Sequence, residues 1–377
     1  MDNDYLISEF NAETIQKTKK KLLLPIILII ILAIICVVFM ILYISEKIDN
    51  DSSSKEKSPL NLWKNCDSKN KLIDYVKKAT KEGSSYFIPK EDRIAVFDFD
   101  GTLFQETDPI YMDYKLFKYR VLDDKNYINK ATDEQKEIAL KIKKIMETGI
   151  FPDGFDQRHS IENAKIFKDM TIEEVDKYTK EFVSEEADGY NNLKRGDAFY
   201  KPMLQVVEYL KKNDFILYIV SGSDRFTVKS LVDGHIDIPK NNIIGSEVYI
   251  IARNQGDIDS FNYTFKTDDE LVYNGEFIVK NLNMNKVYHI IREIGKRPVL
   301  SFGNSVGDSS MANYVISNKD HKGLAFMLLC DDTERENGDI EKANRMREIC
   351  NNNTWIPVSM RDDWLTIYGD NVTKKNK

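Results

Sequence analysis

Asp98 and Asp100, two carboxylates separated by one residue, stand at the end of the short apolar run Ile94-Ala95-Val96-Phe97. In an extended chain residues i and i+2 face the same way, so the carboxylates converge while Phe99 turns toward the interior. Carboxylates that close repel unless a cation or a shared proton compensates them. Gly101 follows and lets the backbone approach a ligand closely. A strand ending in a polar turn explains these residues without any chemistry, so the group gains meaning only in company. Ser221 and Gly222 follow the apolar run 215–220, where a hydroxyl and backbone N–H groups suit an oxyanion. Lys286 is one lysine among many, just ahead of a helical pattern. Asn304 and Asp308 follow the run 298–302 and offer oxygen ligands of the kind hard cations take.

These residues need elements to position them. The runs 94–97, 215–220, 298–302 and 324–329 are nearly continuous in hydrophobicity, as strands covered on both faces are. Helical patterns separate some of them. Pro202 suits a first helical turn, with Met203, Leu204, Val207 and Leu210 along one face. Tyr288, Ile291 and Ile294 mark the apolar face of another helix, which stops at Gly295. Alternating strands and helices make an open α/β sheet, and ligands gather at the carboxyl ends of its strands. Between 104 and 195 the pattern is helical with no clear strand: 134–146 is one helix, and Thr171 with Glu174 forms a capping box. This insertion reads as a helical cap. Residues 247–279 alternate aromatic and β-branched residues and predict a small antiparallel excursion turning at Asn274-Gly275.

The N-terminal part has a different character. Residues 22–44 carry no charge and are almost wholly apolar; as a helix they would extend ~34 Å, enough to cross a bilayer core. A buried soluble helix rarely stays apolar on every face for so long. A cleaved signal is shorter and ends in small residues, unlike the exit Tyr43-Ile44-Ser45-Glu46-Lys47. The expectation is one N-terminal transmembrane helix at 22–44, with a lipid bilayer as partner. Lys17, Lys19, Lys20 and Lys21 precede it and predict a cytoplasmic tail, 1–21, with everything beyond 44 outside the cytoplasm. Residues 45–59, with the Ser52-Ser53-Ser54 run, read as a stalk. An amphipathic stretch, 60–79, then leads into the first strand. The 377 residues carry a formal charge of −7, which argues against a nucleic-acid partner. Cys66, Cys330 and Cys350 lie outside the span, an odd number; a Cys330–Cys350 disulfide remains open.

The four pieces together, in this order, resemble the haloacid dehalogenase superfamily of phosphatases, from about 93 to 323. Asp98-Phe99-Asp100-Gly101-Thr102 is similar to the first motif, Ser221 to the second, Lys286 to the third and Asn304 to Asp308 to the fourth. Within it the chain looks most like the phosphoserine phosphatase-like and phosphorylcholine phosphatase-like proteins. The resemblance implies a Rossmann-like parallel-sheet core (60–106 and 196–377) with the cap (107–195) inserted after the first motif. It implies Asp98 as nucleophile and Asp100 as general acid and base, with Ser221, Gly222 and Lys286 holding the phosphate. It further implies a magnesium ion on Asp98, the Asp100 carbonyl, Asn304 and Asp308. The substrate implied is a small phosphorylated metabolite, hydrolysed through an aspartyl phosphate. Asn304 departs from the acidic residue usual at its position and puts the ligand set in doubt. Two rival readings therefore stay open: a catalytically silent, membrane-tethered binding protein, and a phosphotransferase. Tyr111, Tyr114, Phe117, Tyr119, Phe151, Phe155 and Arg158 are candidates to line the substrate side.

Overall fold

The computed structural model describes residues 33–40, 59–106 and 110–375. The chain divides into two units, 1–59 and 60–377. Of the first, residues 33–40 are helical and exposed. The expected span, tail and stalk lie largely outside the described residues, and among those described no helix is long and apolar enough to cross a membrane.

The second unit is built on a seven-stranded sheet. Its strands are β1 (Ile94–Phe97), β3 (Ile216–Asp224), β4 (Ile243–Ala252), β5 (Leu271–Val279), β6 (Leu300–Gly303), β7 (Leu324–Leu329) and β8 (Ile356–Ser359). The order is β5-β4-β3-β1-β6-β7-β8, parallel except for the antiparallel β4–β5 pair. Every residue of β1 and β6 is buried, which is why their apolar runs carry no alternation. The chain leaves β1 for β3 on one side and returns for β6 on the other. The crevice outside the carboxyl end of β1 is therefore the place where such sheets bind ligands.

Five α-helices lie between β1 and β3: Met112–Leu122, Asp133–Thr148, Phe155–Ile166 and Ile172–Val183 in the insertion, then Lys201–Lys212, which leads into β3. Capping boxes open two of them, Thr132 with Gln135 and Thr171 with Glu174. The helix Phe155–Ile166 packs on β5, and Ile172–Val183 packs on the helix Arg225–Val232 that follows β3. The insertion is not free of strand: β2 (Tyr190–Asn191) pairs antiparallel with β9 (Thr373–Lys374).

The antiparallel excursion expected at 247–279 is the β4–β5 pair, which extends the main sheet at its edge. Two other expectations are corrected. Asn274-Gly275 lies inside β5, not at its turn; the register slips there, Gly275 has φ +89° and the Asn274 side chain accepts from Glu276 N–H at 2.7 Å. This is a bulge, the other use of a left-handed glycine in a strand. The helix Met284–Ile294 buries Lys286, Val287, His289 and Ile290, while Tyr288 and Ile291 are about half exposed. Its inward face was set by a charge and a polar ring that apolar periodicity assigns to solvent. Cys330 and Cys350 are both free thiols.

Candidate active site

Lys286 holds the base of the site. It sits in the first turn of the helix Met284–Ile294, and none of its surface is exposed. Its ammonium donates to Asp98 Oδ1 at 2.6 Å, to Asp308 Oδ1 at 2.6 Å and to the Val220 carbonyl at 2.7 Å. All three donors are thus used. Asp98 is fixed by its own N–H, which donates to the Phe302 carbonyl at 2.8 Å, and by Phe97 stacked on Phe302 beneath it. Burial and the neighbouring Asp308 push the Asp98 carboxyl up to about 7, against the pull of Lys286. Burial opposes charge on Lys286, but Asp308 and Asp98 outweigh it and raise the ammonium above its ordinary range. Asp308 Oδ2 accepts from the N–H groups of Asn304 and Ser305, at 3.1 and 3.0 Å. Both oxygens of Asp308 are therefore engaged within the protein.

Asp100 reaches the same cavity by a tight turn. Gly101 has φ +78°, and its N–H donates to the Phe104 carbonyl at 2.7 Å. A Cβ at 101 would collide with the Asn304 carboxamide, so glycine is required for conformation and for space. Phe99, Phe104 and Phe199 pack as an aromatic cluster around the turn. Burial, and then the charge of Asp113, lift the Asp100 carboxyl well above the usual range; a hydrogen bond from Ser223 Oγ to Asp100 Oδ2, 2.7 Å, works against them.

The strand β3 continues through Ser221, Gly222 and Ser223, with its register shifted between Val220 and Asp224. Gly222 and Ser223 line the cavity. Ser221 is fully buried, and its Oγ accepts from Ser223 N–H at 3.0 Å. Sequence reasoning missed the network behind this segment. Asn281 Nδ2 donates to the Ser221 carbonyl at 2.9 Å, and Asn281 N–H donates to Ser246 Oγ at 3.0 Å. Ser246 Oγ donates to the Gly222 carbonyl at 2.6 Å. His289 Nδ1 lies 2.8 Å from Asn281 Oδ1; because the Asn281 amide already donates to Ser221, His289 is the donor here. No local pattern announces these partners, since each pair is distant in sequence.

The cavity has a volume of about 270 Å³. The core contributes Asp98, Asp100, Lys286 and Asn304 to it, and the helical insertion contributes Tyr111, Asp113, Tyr114 and Asp156. Of the expected lining residues, Tyr111 and Tyr114 are present. Phe151 rests on both their rings, whereas Phe117 and Phe155 are buried in the core. Tyr119 packs on Phe182, and Arg158 turns to Glu134 at 2.5 Å. Glu106 accepts from Tyr111 Oη at 3.0 Å and pairs with Lys342. Glu106, and then burial, raise the Tyr111 hydroxyl well above its ordinary value. Burial pushes Asp113 up to about 6, with Lys280 opposing. The ammonium of Lys280 lines the cavity without a hydrogen bond or ion pair among the described residues.

No cluster of three His, Cys, Asp or Glu fit for a metal occurs among the described residues. The donor set nevertheless suits a hard cation: the Asp98 carboxylate and the Asn304 carboxamide both line the cavity. Magnesium commonly takes one or two carboxylates and keeps several waters, which this set permits.

The structure thus gathers two carboxylates and a buried lysine at the carboxyl edge of a mostly parallel α/β sheet. Consistently, residues 93–258 match the family described as haloacid dehalogenase-like hydrolase, a range that holds Asp98, Asp100 and Ser221 and ends before Lys286. No curated protein matches the chain. Among solved structures, a functionally unknown protein from Anaerococcus prevotii is similar at 13% identity and TM-score 0.46, over 77% of this chain and 91% of that one. Cytosolic 5'-nucleotidase IIIB bound to cytidine is similar at 13% identity and TM-score 0.44, over 78% and 84%. A phosphoserine phosphohydrolase-like protein from Francisella tularensis is similar at 16% identity and TM-score 0.37, over 70% and 94%.

Proposed function

We propose that this protein is a magnesium-dependent phosphatase that hydrolyses a small phosphomonoester through an aspartyl phosphate on Asp98. The observation that carries the reading is Lys286, buried and shared between Asp98 and Asp308, with the Asp100 carboxyl on the same cavity. An Asp98 oxygen forms a bond to phosphorus as the bond to the leaving oxygen breaks. The leaving oxygen keeps the electron pair and takes the proton of Asp100, which its environment holds above the carboxylate range. Asp100 then removes a proton from the water that attacks the aspartyl phosphate, which releases phosphate and restores Asp98. Lys286 favours the ionised form of Asp98 and offsets the negative charge gathered at the cavity base. Asp98 and Asn304 would hold a magnesium ion here, which would supply further positive charge to the site. Gly222 presents the β3 backbone to the phosphate, with Ser221 bracing the segment from behind.

The wall facing this machinery selects the leaving group. Asp113, Asp156 and Lys280, with the rings of Tyr111 and Tyr114, suit a small polar alcohol that carries charge, as in phosphoserine or phosphocholine. A folded phosphoprotein is too large for this volume. Residues 22–44 anchor the chain in a membrane, with the catalytic unit outside the cytoplasm; added protease then digests that unit in intact cells, and full protection before lysis reverses the topology.

The decisive assay is phosphate release by the full chain across a panel of phosphomonoesters, with magnesium and after chelation. Asp98→Asn is expected to fold and lose all turnover, and Asp100→Asn to lose about 10²–10⁴-fold. Substantial turnover by a folded Asp98→Asn protein, or full activity after exhaustive chelation, sinks the reading.

A further inference from the structure

Ser223 is half-buried on the cavity wall, and its hydroxyl donates to Asp100 Oδ2 at 2.7 Å. The two residues lie far apart in sequence, so the contact depends on the sheet that sets β1 beside β3. Ser223 is itself held from several sides. Its N–H is bound by Ser221 Oγ, and the Ser221 carbonyl is gripped by the buried Asn281. Asp224, next in the chain, caps the following helix by accepting from Phe226 and Thr227 N–H at 3.1 and 2.9 Å. Behind it, a side chain at Gly245 would meet the Ser223 carbonyl and the Arg225 backbone, so β4 passes close against this segment. A hydroxyl fixed so firmly fixes its acceptor too.

We propose that Ser223 is the positioning residue of Asp100. By occupying Oδ2, it turns the carboxyl so that Oδ1 carries the proton to the leaving oxygen and later receives one from water. The idea rests on the phosphatase reading and goes beyond it, since it assigns one oxygen of Asp100 to each partner. Without Ser223 the carboxyl rotates, and Asp98 attacks with its leaving oxygen unprotonated. That defect is severe for an alkoxide, a poor leaving group, and slight for a nitrophenolate, which departs without a proton.

The test compares kcat/KM of the full chain on ethyl phosphate and on 4-nitrophenyl phosphate. Ser223→Ala is expected to lose about 10- to 100-fold on ethyl phosphate, the scale of a hydrogen bond to a charged group. On 4-nitrophenyl phosphate the loss should stay within about 3-fold, because the proton matters little there. Asp100→Asn should show the same split more strongly, and Ser223→Thr, which keeps the hydroxyl, should restore the alkyl substrate. Equal losses on both esters, or none on either, overturn the assignment while an active wild type leaves the phosphatase reading standing. A wild type that turns over neither ester, or an Asp98→Asn variant that turns over both, removes that reading and this inference with it.

Discussion

Replacing Lys286 by Met keeps the aliphatic stem and deletes the charge, so it isolates the electrostatics of the site. The ammonium makes three hydrogen bonds, two of them to buried carboxylates that are 6% and 1% exposed. Breaking a buried ion pair by removing one partner costs about 3–5 kcal/mol, because the charge left behind is desolvated and unpaired. In a unit of this size that predicts a fall in melting temperature of about 4–8 °C. The fall should depend on pH. Asp98 already sits at about 7 in the folded protein because of burial and Asp308, and Lys286 holds it down; without Lys286 it rises further. The unfolded chain releases the same proton near pH ~4. Between those values the folded state binds more protons than the unfolded state, so stability declines as pH rises. The melting deficit of Lys286→Met relative to wild type should therefore be small at acid pH and grow through neutrality. Asp308→Asn added to Lys286→Met should recover part of it by removing the repulsion. Turnover should fall by about 10²–10³-fold, the scale of a lost charge-stabilising donor. Melting curves of chelator-treated protein across acid and alkaline buffers, with phosphate release alongside, measure all of this. A deficit that does not change with pH, or that the Asp308→Asn addition deepens, refutes the coupling.

Three further outcomes are expected. Gly101→Ala should lower both stability and turnover, since a left-handed alanine costs about 1–2 kcal/mol before the collision with Asn304 is counted; an unchanged melting temperature would contradict the turn geometry. Asn304→Asp should tighten magnesium binding in calorimetric titration, and Asp308→Ala should weaken it and lower turnover by releasing Lys286 and the Asn304–Ser305 amides; magnesium affinity unmoved by both would remove Asn304 from the site. Asp113→Asn should raise KM for amine-bearing phosphomonoesters and leave neutral ones unchanged, and an equal rise for both would deny Asp113 a part in selection.

The legible parts of this protein are those in which local composition and tertiary environment agree. β1 and β7 are apolar throughout because both faces are covered, and the sequence says so directly. β8 hides behind its brevity and Pro357, which an edge strand tolerates and a central one does not. The β5 bulge was mistaken for a turn because Asn-Gly serves both with the same left-handed backbone. The site divides in the same way. Asp98 and Asp100 are brought to the cavity locally, over two residues at the end of β1 and the turn that follows, and so could be found by spacing. Ser223, Ser246, Asn281 and His289 act across folds of the chain, and polar residues of these types are common at turns, so nothing local distinguishes them. Lys286 shows why the two classes must be read together. Its helix looks as though Tyr288 and Ile291 should face inward, yet the protein buries the lysine and leaves them in solvent. Burying an ammonium is unfavourable unless carboxylates wait for it. The inward-turned lysine of that helix and the buried carboxylates of Asp98 and Asp308 are therefore one fact: each supplies the charge that the other needs in order to be buried at all.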